Sequence, residues 1–266
     1  MTALFDSHAH LDDPAFAGDL DAVLARSGEA GVEAILVPAI DLDSCDAIAA
    51  LCARHPQLHP AWGLHPLLLE RHRPEHLDAL RDRIVRERPN AVGECGLDFY
   101  VEGLDADTQR LYFRGQLELA RGFDLPVVVH ARRAVEEVTL TLRQVGGLRG
   151  VVHSFAGSPE QARQLFDLGF HLGFGGPVTY ERARKLHAVV ASMPLEFLLL
   201  ETDAPDQPLS GHQGQRNEPC RLPQVLAAIA RLRGEPEADI ARATTANARR
   251  LFAIPETTTG PEVRPR

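Results

Sequence analysis

Eight short apolar runs recur along the chain at intervals of roughly 20–45 residues, and the stretches between them carry helix signals. The runs are Phe5–His8, Ala34–Pro38, Ala61–Leu64, Ala91–Glu94, Pro126–His130, Gly150–His153, Phe170–Phe174 and Phe197–Glu201. Strands alternating with helices imply parallel βα units, because a parallel neighbour is reached only through a crossover. Eight such units in 266 residues predict an α/β fold, a single-domain TIM-like (β/α)8 barrel. An open doubly wound sheet is the competing architecture, but no Gly-x-Gly-x-x-Gly turn follows the first strand. Local punctuation agrees with the barrel: Ser158, Pro159 and Gln161 form a helix-start pattern, and Gly169 suits a stop before the seventh strand. The domain is expected to span residues 1–254, with a flexible Pro/Thr/Gly-rich tail over residues 255–266.

In such a barrel, chemistry sits at the C-terminal ends of the strands. His8 and His10 end the first strand, Glu94 the fourth, His130 the fifth, His153 the sixth and Asp203 the eighth. In "LFDSHAHLDD" the two-residue spacing places Asp6, His8 and His10 on one face if the strand continues. Each residue alone has an ordinary explanation as a core histidine, a strand-end acid or a turn cap. Six metal-capable side chains converging from five strands do not, since a plain core needs no inward polar groups. His65, in "WGLHP", points toward the same mouth and is expected to face substrate. His55, His59, His72, His76, His171, His187 and His212 read as structural or solvated.

The motifs "DSHAHLD", "GLHP", "GECGLD", "VVHARR", "VVHSFAGS" and "LLLETDAPDQP" resemble the TatD family of metal-dependent deoxyribonucleases, within the amidohydrolase-like barrels. The similarity runs from Phe5 to about Phe252, and the loop "PLSGHQGQRNEP" most resembles the YjjV-type branch. The resemblance implies two divalent metal ions per subunit, whether zinc, magnesium or manganese. One would be held by His8, His10, Glu94 and Asp203, and the other by Glu94, His130 and His153, with Glu94 bridging. Some amidohydrolase-like relatives bridge their metals with a carbamylated lysine. Here Lys185 is the only lysine and belongs to the helix before the eighth strand, which disfavours both that arrangement and a Schiff-base aldolase.

The expected reaction is hydrolysis by metal-activated water, with Glu94 and Asp203 catalytic and Asp203 as general base. No Gly-x-Ser-x-Gly elbow offers a serine nucleophile, and Cys95 is expected to point away from Glu94. Arg132, two residues after His130, and Arg216, in the last loop, are the expected phosphate contacts. The Gly173–Gly176 run suits a close anion approach, and Glu201 faces inward as support for a ligand or for an extra ion.

The net charge of −9 argues against a broad basic grip on duplex nucleic acid and for a frayed 3′ end entering a narrow mouth. The expected substrates are therefore nucleic-acid ends or small phosphate-containing compounds. Small esters or amides, aminoacyl-nucleotide esters, and a non-enzymatic metal-binding barrel are the alternatives. No leader and no apolar run of membrane length are read, and four cysteines lack paired metal spacing, so a cytoplasmic protein without an evident protein partner is expected.

Overall fold

Every one of the eight apolar runs forms a strand in the computed structural model, which describes residues 3–255. The strands are β1 (Leu4–Asp6), β2 (Val32–Pro38), β3 (Leu58–Trp62), β4 (Ala91–Asp98), β5 (Val127–Arg132), β6 (Gly150–Val152), β7 (Phe170–Phe174) and β8 (Leu198–Leu200). They pair in parallel and in chain order, as right-handed βα units require. The helices between them are α1 (Leu20–Glu29), α2 (Leu42–Arg54), α3 (Glu75–Glu87), α4 (Ala106–Phe123), α5 (Val135–Val145), α6 (Pro159–Phe166) and α7 (Arg184–Ser192). After β8 come α8 (Leu222–Arg233) and α9 (Glu237–Leu251). The result is a TIM-like (β/α)8 barrel.

Helix starts follow local chemistry. Ser158 accepts from the Gln161 amide while the Gln161 side chain accepts from the Ser158 amide, so α6 opens on a reciprocal capping box with Pro159 in its first turn. Asp41 and Ser44 do the same for α2. The α6 helix ends at Phe166, and Gly169, at φ +80°, turns the chain into β7.

The strand ladder leaves β1 and β8 as its outer members, and their extensions meet at a seam. The Ser7 amide donates to Leu200 O at 2.9 Å, the Asp203 amide to His8 O at 2.8 Å, and the His10 amide to Ala204 O at 2.8 Å. Asp6 reinforces that seam: its carboxylate accepts from the Thr202 amide at 2.9 Å and the Thr202 hydroxyl at 2.5 Å. β1 ends at Asp6, so His8 and His10 lie beyond the regular strand whose alternation would have put the three on one face. The backbone that closes the barrel is also the backbone that carries His8, His10 and Asp203.

At the opposite end the interior is apolar. Phe5, Ala34, Leu36, Ala61, Val128, Val151 and Leu199 pack with Leu251, Phe252 and Ile254 at the end of α9. The Phe5 and Phe252 rings lie 6.0 Å apart. Burying such a ring contributes roughly 1.5–3 kcal/mol by transfer alone. The barrel is thus plugged at its base and polar at its mouth. Of the expected tail, residues 256–266 lie outside the described residues.

Candidate metal centre

Strand β4 runs four residues beyond the expected end, so Glu94 sits within it and not at its tip. Residues Glu94, Gly96 and Asp98 alternate along one side of this strand. Gly96 is required there: at φ +148°, an added Cβ would lie 2.0 Å from His130 O. Adjacent strands β4 and β5 are consequently close where they carry Glu94, Asp98 and His130.

Glu94 is the hub of the site, 1% exposed, and its two oxygens face two sets of imidazoles. Oε2 lies 3.2 Å from His8 Nε2 and 3.4 Å from His10 Nε2. Oε1 lies 3.0 Å from His65 Nε2, 3.1 Å from His130 Nδ1 and 2.7 Å from His153 Nε2. Asp203 Oδ1 joins the Oε2 side, 3.5 Å from His8 and 3.8 Å from His10. The structure therefore brings together His8, His10, Glu94, His130, His153 and Asp203, from the elements expected to supply them.

The donor chemistry fits a metal. His8 Nε2 and His10 Nε2 are 3.1 Å apart, and His130 Nδ1 is 3.3 Å from His153 Nε2. Nitrogens aimed at one another among carboxylate oxygens form sets whose ligand atoms all lie within 4.8 Å of one another: His8, Glu94 and His153, and likewise His8, His10 and Asp203. His130 is held in the matching tautomer. Its Nε2 donates to Asp98 Oδ2 at 2.9 Å, which leaves the Nδ1 lone pair directed into the cluster. Burial opposes charge on Asp98, but bonds from His130 and the Val101 and Tyr100 amides bring its carboxyl down to about 2.

His65 differs from the other imidazoles. Its Nδ1 accepts from the Leu67 amide at 3.1 Å, so the neutral ring carries its proton on Nε2 and donates it to Glu94. His65, expected to face substrate, lines the cavity and also supports the central carboxylate.

Electrostatics of the cluster are strongly coupled. Burial would raise Glu94, yet the histidines around it, His65, His153 and His8 foremost, hold it well below the usual carboxylate range. Burial drives His8 well below the usual imidazole range, and its ring lies 3.9 Å from the His153 ring in a parallel stack. Burial also works against charge on His153, but Glu94, Glu201 and Asp203 outweigh it and push the group up to about 10. Desolvation raises Asp203 above its ordinary value.

Side chains that the sequence reading did not single out support the site. Gln207 Nε2 donates to Asp203 Oδ2 and Ser154 Oγ, both at 2.5 Å. Glu201 sits behind His153, 3.9 Å from its Nδ1, and accepts from the Ser154 amide at 2.6 Å. The glycines of β7 make room for it: a Cβ on Gly173 would lie 2.0 Å from Glu201 Oε2. Packing around Glu201 gives Gly173 a steric reason of its own, and Gly173 and Gly175 also line the cavity. Cys95 is buried with its Sγ toward Val128 O, away from Glu94.

The expected phosphate contacts divide. Arg132 lines the cavity above the cluster. Arg216 does not: its guanidinium is held by Asp19 at 2.7 Å and Glu218 at 2.8 Å, and it lies over Phe16. The expectation that Arg216 contacts substrate is corrected to a role in fastening the last loop to α1. The cavity, about 2100 Å³, extends from the mouth along a groove beside α4 and α5.

A buried histidine–carboxylate cluster at the C-terminal mouth of a (β/α)8 barrel has the donor set and the placement of a metal-dependent hydrolase site. The chain belongs to the TatD-related DNase family, whose model matches residues 5–253. It is 42% identical to the metal-dependent hydrolase YjjV of Escherichia coli K12 over 94% of this chain and 98% of that one. The crystal structure of YjjV superposes with a TM-score of 0.92, at 41% identity, covering 95% of this chain and 98% of that chain. A 3′-5′ ssDNA/RNA exonuclease TatD from Salmonella typhimurium is 34% identical, over 94% of this chain and 99% of its own length. No helix among the described residues is long and apolar enough to cross a membrane.

Proposed function

We propose that the protein is a nuclease that hydrolyses phosphodiester bonds at single-stranded nucleic-acid ends, 3′-5′ exonuclease-like, with two divalent ions held on either side of Glu94. The observation that carries this reading is a set of cations, none of them in an ion pair, in the wall of the cavity that also holds the donor cluster. Arg132, Arg133, Arg182, Arg184 and Lys185 line the cavity, and among the described residues none of them makes an ion pair. In a chain of net charge −9, five cations without ion pairs on one cleft, beside the acids Asp12, Asp13, Glu136, Glu137 and Asp206, favour an anionic substrate. The Salmonella relative's name points the same way. The cavity continues from the mouth along α4 and α5, which leaves room for an extended strand.

His8, His10, Glu94 and Asp203 would hold one ion, and Glu94, His130 and His153 the other. Zinc, magnesium or manganese would act as Lewis acids toward phosphate oxygens and lower the pKa of an attacking water. Asp203 then accepts that water's proton, its carboxylate fixed by Gln207 on one oxygen and facing His8 and His10 with the other. His65 keeps Glu94 oriented through its Nε2 proton. Arg132 and Arg133 offset the charge of the phosphate backbone as it enters.

Metal-reconstituted protein acting on a 5′-labelled single-stranded oligonucleotide tests the proposal. The expected product is a ladder shortened one nucleotide at a time from the 3′ end. Intact strands, with hydrolysis of aminoacyl-nucleotide or other small esters by the same preparation, would overturn it.

A further inference from the structure

We infer that Tyr100 is the base-stacking platform of this cleft and receives the nucleobase next to the bond being cut. The inference rests on the nucleic-acid reading of the site and names a contact which that reading leaves open.

Tyr100 lies in the cavity wall and is 47% exposed, so much of its ring is presented to the cleft. Two guanidinium groups attend it. Arg132 Cζ is 3.8 Å and Arg133 Cζ 4.7 Å from the ring centre. These guanidinium groups lie over the ring, so a base stacks on Tyr100 by displacing one of them, and the displaced cation is left to meet the phosphates of the strand. Arg133 adopts φ +54°, a left-handed conformation that is costly for a non-glycine residue, and it does so beside Tyr100.

The platform is tied to the metal centre through one carboxylate. Asp98 Oδ1 accepts from the Tyr100 amide at 2.9 Å and the Val101 amide at 3.0 Å. Its Oδ2 accepts from His130 Nε2 at 2.9 Å. The Phe99 amide donates to Arg132 O at 2.9 Å, which fixes the Tyr100 loop to the end of β5. The Tyr100 backbone is thus tied to His130 through one carboxylate, which anchors the platform to the wall of the metal centre. Across the cavity, Arg182 lies 5.6 Å from the Tyr180 ring centre, with Arg184 and Lys185 on the same wall, and these carry the outgoing backbone.

The test uses metal-loaded protein and a single-stranded oligonucleotide with 2-aminopurine at the 3′-penultimate position, mixed in a stopped-flow instrument so that binding is read before cleavage. Stacking quenches 2-aminopurine fluorescence. Wild type and Tyr100→Phe are expected to quench it. Tyr100→Ala and the bulkier, non-aromatic Tyr100→Leu are expected to lose the quench and to raise KM about tenfold. An abasic residue at the same position is expected to erase the difference between wild type and Tyr100→Ala. Full quenching by Tyr100→Leu, or an unchanged KM in both variants, would overturn the platform while leaving the nuclease intact. A wild type that binds no strand would overturn the nucleic-acid reading and the platform with it.

Discussion

Replacing Glu94 with glutamine is expected to lower turnover by about a thousandfold or more and to weaken metal binding in both halves of the site together. The reason is geometric. Oε1 and Oε2 serve different sets of imidazoles, so no other side chain in the cluster can neutralise both. Glutamine keeps the size but loses the charge, and its amide nitrogen turns a donor toward one of the two sets. His65 Nε2, which donates to Oε1, would then face either an amide oxygen of weaker basicity or another donor. Metal content of the purified variant, read beside kcat at saturating metal, checks this. Retention of full activity, or loss of a single ion with the other unaffected, would show that Glu94 is not shared.

The second large effect is expected at Asp203. Asp203→Asn should lower kcat by roughly 10²–10⁴-fold, the range for loss of a general base, while metal binding on the His130 and His153 side persists. Asp203 stands at φ +57°, a conformation that asparagine tolerates as well as aspartate, so the substitution leaves the backbone at the β1–β8 seam unstrained. Single-turnover rates on a 3′-labelled strand, with metal content measured in parallel, separate loss of chemistry from loss of metal. A variant with normal metal content and an unchanged rate would remove Asp203 from proton transfer.

The sequence made the meeting of His8, His10, Glu94, His130, His153 and Asp203 legible because a barrel places strand ends at one mouth whatever the loop details. Asp98 escaped notice although it lies in the quoted "GECGLD", because ending β4 at Glu94 put it in a loop, four residues from its place beside His130. Gln207 was invisible for a different reason: it reaches Asp203 through a turn in which it takes φ +51°, and nothing in local spacing encodes that. Arg216 misled because its partner Asp19 is 197 residues away in the chain. The charge total says nothing of where the cations lie. A chain of net charge −9 still concentrates unpaired cations on one cleft, and only the folded arrangement of β5 and the segment into α7 shows it. Tyr100, flanked by Arg132 and Arg133, likewise supplies a cationic aromatic surface that residue counts did not reveal.

The most direct measurement of the central claim is the anomalous diffraction of crystals loaded with manganese. The expected result is two peaks roughly 3.5–4 Å apart, one on each side of the Glu94 carboxylate. The first should be bounded by His8, His10 and Asp203, and the second by His130 and His153. A single peak, or metal bound away from Glu94, would contradict the shared carboxylate and with it the proposed two-ion hydrolysis.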